Sequence, residues 1–147
     1  MAKGTLLIID DDELVLSLIS KIFEGHIDKI YTTTEGNQAI DILQTEEIHC
    51  VICDIALPDI SGVEIIKQVR INNNQVPFIF YTSHSDHQLM VEALKYGAFD
   101  FLIKPNLDGL KEIVIHGLEE GFSRTPTKKI DSSFISKYQK MLEKINS

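Results

Sequence analysis

Four kinds of side chain in this sequence can work together on a phosphoryl group. Asp10, Asp11, Asp12 and Glu13 form an acidic run, and Asp54 stands between an apolar run and a loop marked by Pro58 and Gly62. Thr82 and Lys104 follow later in the chain. A carboxylate can attack phosphorus as a nucleophile and give an acyl phosphate. The approach of two anions needs positive charge, which a hard divalent cation and a lysine ammonium supply, and a hydroxyl adds a hydrogen bond. Two carboxylates ~4 Å apart repel by ~1 kcal/mol in water and several-fold more in a partly dry cleft. Asp10, Asp11 and Asp54, if brought together, therefore require a cation. With few protein ligands on offer, Mg²⁺ or Mn²⁺ suits them better than a Ca²⁺ cage does.

Each residue also has a simpler use. Asp12 and Glu13 read first as a helix cap and a partner for the helix dipole. Taken singly, Asp10 and Asp11 are also capping residues, and Asp54 is a turn residue. Lys104 alone is a solvated lysine and Thr82 alone a loop hydroxyl. Co-occurrence outweighs these uses, because each stands one step past an expected strand.

The strands and helices between them follow from periodicity. Thr5–Ile9 is a continuous apolar run, as a strand buried on both faces requires. Leu14, Leu16, Leu18, Ile19, Ile22 and Phe23 recur at helical spacing up to Gly25. Strands are expected over 30–33, 48–53, 76–81 and 99–103. Helices are expected through Ala39–Leu43, Val63–Val69, 86–96 (capped by Asp86, stopped by Gly97) and 107–120. Five β-α units in strict alternation demand a parallel sheet covered by helices on both faces. Right-handed crossovers favour a doubly wound, flavodoxin-like sheet of order 2-1-3-4-5, whose ligands bind beyond the carboxyl ends of β1 and β3. That edge is where Asp10, Asp11, Asp54, Thr82 and Lys104 fall.

The rest of the composition narrows the function. Hydrophobic residues make up 44% of the chain, enough for a core. No apolar run approaches the ~20 residues of a membrane span, and no signal-peptide pattern opens the sequence, so a cytoplasmic protein is expected. Cys50 and Cys53 form a C-x-x-C spacing, which suits a redox pair or half a zinc site. On a strand, positions i and i+3 point to opposite faces, so the two sulfurs are expected to diverge as buried hydrophobes. Net charge is −8, unevenly spread: residues 1–121 carry 8 basic and 20 acidic side chains, and residues 122–147 carry 6 and 2. The acidic body argues against direct contact with nucleic acid, and the sign change marks the last segment as a separate unit.

Gly121 and Thr125-Pro126-Thr127 are expected to end the last helix of the body. Phe134, Tyr138, Met141 and Ile145 then recur at four, three and four, a short heptad seam that Ser132 or Ser133 can cap. It suits a helix leading to a dimer or an output domain equally with one packed on its own domain. Residues 122–147 leave no room for a helix-turn-helix domain.

The segments L-L-I-I-D-D-D-E (6–13), V-I-C-D-I-A-L-P-D-I-S-G (51–62), F-I-F-Y-T-S (78–83) and Y-G-A-F-D-F-L-I-K-P (96–105) occur in this order, each at the end of a strand. In this the chain resembles the receiver domain of two-component response regulators, over about residues 4–120. The resemblance implies a receiver domain over 4–121 and a linker plus amphipathic helix over 122–147. It implies that Asp54 takes a phosphoryl group from a histidine kinase or a histidine phosphotransfer protein. Asp11 would ligate Mg²⁺ directly, Asp10 largely through water, and the Ala56 backbone carbonyl would add a ligand. Lys104 would pair with the phosphate across a cis Lys104–Pro105 bond. Thr82 would move toward the phosphoryl group and Phe101 inward with it, switching the β4-α4-β5 surface. Ala56 and His84 occupy positions resembling those that tune phosphoryl lifetime in the family. The expected protein is a signalling domain, not a turnover enzyme, acting on a partner or output domain or as a homodimer through 132–146.

Two other functions use much the same residues. A pseudo-receiver would be an interaction module without phosphorylation, but would usually lack one of the acids or Lys104. A Mg²⁺-dependent phosphohydrolase would use Asp10 as nucleophile and Asp12 as acid/base. It usually needs a cap domain, and it leaves Asp54 unexplained.

Overall fold

The computed structural model describes residues 3–83 and 87–123, together with Lys140 and Glu143. Five strands alternate with five helices: β1 (Thr5–Ile9), α1 (Glu13–Phe23), β2 (Lys29–Thr33), α2 (Gly36–Thr45), β3 (Cys50–Cys53), α3 (Gly62–Ile71), β4 (Phe78–Thr82), α4 (His87–Lys95), β5 (Asp100–Ile103) and α5 (Leu107–Ser123). All strand pairs are parallel and the order is β2-β1-β3-β4-β5. The sheet is thus the doubly wound one that the alternation demands.

The two faces of the sheet carry separate cores. Leu7, Ile9, Val51, Phe78, Phe80 and Phe101 pack under α2, α3 and α4. Leu6, Ile8, Cys50, Ile52, Ile79 and Leu102 pack under α1 and α5. Period-two alternation assigns each strand residue to its side, and β1, β3 and β4 are apolar throughout because both faces are covered. Cys50 and Cys53 fall in opposite cores, fully buried, as free thiols. Burial pushes both thiols well up, so neither is a ready thiolate at neutral pH.

Helix starts follow local chemistry. Asp12 caps α1 by accepting from Leu14 N at 2.9 Å, and Ser61 caps α3 by accepting from Glu64 N at 3.2 Å. Gly25 and Gly97 stand at φ +78° and +77°, just past α1 and α4, where a left-handed residue ends a helix without strain from a Cβ.

Several boundaries depart from the sequence expectation; β3, for one, begins at Cys50 rather than at 48. β4 begins at Phe78 rather than Val76, because Pro77 has no N–H to donate into the ladder. β4 also includes Thr82, which pairs with Ile103 instead of standing beyond the strand. Finally, α5 continues through Gly121 to Ser123. Gly121 does not break the helix. It faces β3 so closely that a Cβ there would lie 1.7 Å from the His49 carbonyl oxygen. The expected cap at Asp86, the reading of His84 and the heptad seam residues Phe134, Tyr138, Met141 and Ile145 lie outside the described residues.

Candidate functional site

The sheet ladder runs one residue past three of its strands and so fixes the site backbone. Asp10 N donates to Thr33 O (3.2 Å), Asp54 N to Ile9 O (2.9 Å) and Lys104 N to Thr82 O (2.9 Å). Each of these residues is held in register with the neighbouring strand at the carboxyl edge of the sheet. The side chains then meet. Lys104 Nζ donates to Asp10 Oδ2 at 2.6 Å and to Asp54 Oδ2 at 3.1 Å. Oxygens of Asp10, Asp11 and Asp54 lie within 4.8 Å of one another. Asp10 and Asp54 are buried and Asp11 is exposed.

The other oxygens of the two buried acids have their own partners. Asp10 Oδ1 accepts from Asp12 N at 2.9 Å, and Asp54 Oδ1 from Ala56 N at 3.3 Å. Burial raises the Asp10 carboxyl above its ordinary value, with Lys104 and the Asp12 N–H only partly offsetting it. Burial alone would lower Lys104, but its bonds to Asp10 and Asp54 outweigh burial and leave the ammonium above its ordinary value. Burial thus prevails at Asp10, and the two acidic partners prevail at Lys104.

Three carboxylates face one ammonium, which leaves room for two more positive charges. The donors are hard oxygens, and one of the acids is exposed and accessible from solvent. This set fits a divalent cation of the magnesium type.

Supporting residues surround the cluster. Lys104–Pro105 is cis, as expected. The next residue, Asn106, donates its N–H to Tyr81 Oη at 3.1 Å, and the Tyr81 ring centroid lies 5.8 Å from Lys104 Nζ. Thr82 is fully buried at the end of β4. Phe101 is 2% exposed and stacks on Phe80, its partner in register, with centroids 5.1 Å apart. Thr82 stands two positions beyond Phe80 on β4 and so shares its face of the strand. Asp12 does not face the cluster in this way, since its oxygen is engaged by Leu14 N.

Asp10, Asp11, Asp54 and Lys104, singled out in the sequence, do come together, whereas Tyr81 and Asp59 were not singled out. Tyr81 read only as a strand aromatic. Asp59 carried no reading of its own, yet its two oxygens accept from Gly36 N (2.9 Å) and Asn37 N (2.8 Å) at the start of α2. The one available signal was Glu35, a poor N-cap type, which implies a cap supplied from elsewhere.

Comparison with known proteins places the chain in a family. The family model described as "Response regulator receiver domain" matches residues 6–115. The response regulator SaeR of Staphylococcus aureus is 33% identical over 100 residues, covering 68% of this chain and 43% of that protein. The chain thus matches less than half the length of that relative. Full-length FixJ from B. japonicum superposes with a TM-score of 0.73 at 27% identity, covering 82% of this chain and 60% of FixJ. A CheY-like receiver domain protein from Methanospirillum hungatei gives 0.78 at 23% identity over 84% and 100% of the two chains, a likeness of fold alone. The chain belongs to the response regulator receiver domain family of two-component signalling systems.

Proposed function

We propose that this receiver takes a phosphoryl group onto Asp54 and relays the event through its β4-α4-β5 surface. The observation that carries the reading is Lys104 Nζ bridging Asp10 and Asp54 beside the exposed Asp11. A histidine kinase or histidine phosphotransfer protein is the donor. An Asp54 carboxylate oxygen forms the new bond to phosphorus as the bond to the donor nitrogen breaks, and the donor imidazole leaves with the electron pair.

Asp11, Asp54 and the Ala56 carbonyl would hold Mg²⁺ directly. Asp10, already engaged by Lys104 and Asp12 N, would act through water. Bound there, the cation supplies charge neutralisation for the phosphoryl oxygens. Lys104 neutralises a further oxygen, moving its hydrogen bonds from Asp54 to the phosphoryl group. The Thr82 hydroxyl donates to another. These contacts exist only with the phosphoryl group present, so they bias a two-state equilibrium. Thr82 movement reaches Phe101 through Phe80. Phe101 carries no hydroxyl, so its buried position costs no desolvation of a polar tip.

The domain, expected over residues 4–121, takes in the end of α5 at Ser123, and the residues after it would lead toward an output or a second copy. It acts as a cytoplasmic signalling domain that catalyses only its own phosphorylation and dephosphorylation. Among the described residues no helix is long and apolar enough to cross a membrane. The acidic body leaves any nucleic-acid contact to a region other than the receiver surface.

Incubation with phosphoramidate or acetyl phosphate and Mg²⁺ tests the reading. Intact mass should rise by one phosphoryl group, and Asp54→Asn should abolish the rise. Sustained hydrolysis of phosphate esters that survives Asp54→Asn and is lost in Asp10→Asn would instead identify a phosphohydrolase. The engagement of Asp12 in capping α1 speaks against that outcome.

A further inference from the structure

The loop between β3 and α3 carries Asp54 at its start and is held at two places. At its base, Gly62 N donates to Ile55 O at 2.8 Å. At its tip, the Asp59 carboxylate bridges Gly36 N and Asn37 N, 23 and 22 positions earlier in the chain. The Ile60 side chain packs beside it: a Cβ on Gly36 would lie 2.5 Å from Ile60 Cγ1. The first turn of α2 has no side-chain cap of its own, since Glu35 at its N-cap makes no such bond. A residue of the loop after β3 therefore does the work a local cap normally does.

We propose that Asp59 is a positioning residue for phosphoryl transfer, tethering the β3–α3 loop to α2 so that Ala56 and Asp54 face the cation together. The proposal rests on the receiver reading given above. Between the base bond at Ile55 and the tip contact at Asp59 lie only Ala56, Leu57 and Pro58. Ala56 N is itself bonded to Asp54 Oδ1 at 3.3 Å, a long contact that a loose loop would lose. With the tip released, the Ala56 carbonyl and the Asp54 carboxylate lose their common frame. The base bond alone fixes one end of the segment and leaves its far end to the solvent-exposed Pro58. Groups that orient metal ligands commonly cost ~10–100-fold in affinity when removed.

The test separates tethering from mere capping of α2. Wild type, Asp59→Ala and the double variant Asp59→Ala/Glu35→Asp are phosphorylated with phosphoramidate over a range of Mg²⁺ concentrations. All are read by intact mass, at a temperature where circular dichroism shows each fully folded. Asp at position 35 restores a local N-cap to α2 without re-attaching the loop. The Mg²⁺ concentration for half-maximal rate should rise roughly tenfold in Asp59→Ala and stay raised in the double variant, although its thermal midpoint recovers. An unchanged Mg²⁺ dependence in Asp59→Ala overturns the proposal. So does recovery of that dependence in the double variant, which would make Asp59 a cap and nothing more. If wild type itself takes no phosphoryl group on Asp54, the receiver reading fails, and the tether falls with it.

Discussion

The Lys104 ammonium lies 2.6 Å from the Asp10 carboxylate, although 94 positions separate the two in the chain. Asp10 is 2% exposed at its side chain and Lys104 18%. Removing one partner of a buried ion pair commonly costs ~3–5 kcal/mol, because the other charge is left behind. Solvent at Lys104 offsets part of that, so Lys104→Met should cost about 2–3 kcal/mol. Among the described residues it also leaves Asp10 and Asp54 with no paired cation. Mg²⁺ should therefore stabilise Lys104→Met more than wild type. Thermal unfolding with and without Mg²⁺ measures both effects. A smaller Mg²⁺-induced shift in Lys104→Met than in wild type would contradict the charge argument.

Asp11 tests the same balance from the other side. Among the described residues Lys104 pairs with Asp10 and Asp54 and not with Asp11. Without metal, Asp11 contributes repulsion of about 1 kcal/mol or less, given its exposure. Asp11→Asn should raise the metal-free stability by that amount. It should also remove the stabilisation by Mg²⁺, which for a bound cation at ten times its Kd is about 1.4 kcal/mol. Denaturant unfolding in EDTA and in excess Mg²⁺ gives both numbers. Full retention of the Mg²⁺ response would take Asp11 out of the ligand set.

Asp59 gives a pH signature. The Asn37 N–H, with that of Gly36, holds its carboxyl below the ordinary value of 3.8. A depressed folded value means that the cap is fully present above 3.8 and is lost as pH falls through the folded value. Wild type should exceed Asp59→Asn in stability by only about 0.5 kcal/mol at pH 6, since Asn keeps one acceptor oxygen and solvent screens the lost charge. The gap should close as pH drops below 3.8. Urea unfolding at stepped pH follows it, and a gap that stays constant down to acid unfolding would assign the effect to something other than this carboxylate.

Much of this was readable in the sequence, for a physical reason. Apolar runs such as Thr5–Ile9 and Phe78–Thr82 are buried on both faces, so period and burial agree and the strands declare themselves. Strand order then brings Asp10, Asp54 and Lys104 to one edge without any knowledge of their rotamers. The missed features depend on contacts between distant segments. Gly121 reads as a helix stop because glycine has low helix propensity. Only the closeness of the His49 carbonyl shows why glycine stands inside α5. Asp59 and Tyr81 act on backbone N–H groups of other segments, Gly36, Asn37 and Asn106, and no local pattern records such a bond.

Arg70 belongs to the same class and supplies the last prediction. It lies in the final turn of α3, where a basic residue reads as a surface partner for the helix dipole. Instead its guanidinium reaches across to α4. Nε donates to Tyr96 O at 2.7 Å, Nη1 to Asn74 O at 2.9 Å and Nη2 to Gly97 O at 3.3 Å. Burial brings its pKa down to about 10, so it stays charged at neutral pH. The Tyr96 and Gly97 carbonyls follow α4, outside its hydrogen-bond ladder, and a planar fork of donors satisfies both together with the loop before β4. Arg70→Met should cost about 2–4 kcal/mol, since the carbonyls lose a charged donor in a half-buried setting. Arg70→Lys should recover little, because an ammonium cannot span the same three oxygens. Hydrogen exchange should localise the loss to amides of 96–98, which follow α4. A uniform loss of protection across the sheet, with 96–98 no worse than β3, would show that Arg70 supports the fold generally and does not anchor the α4 end.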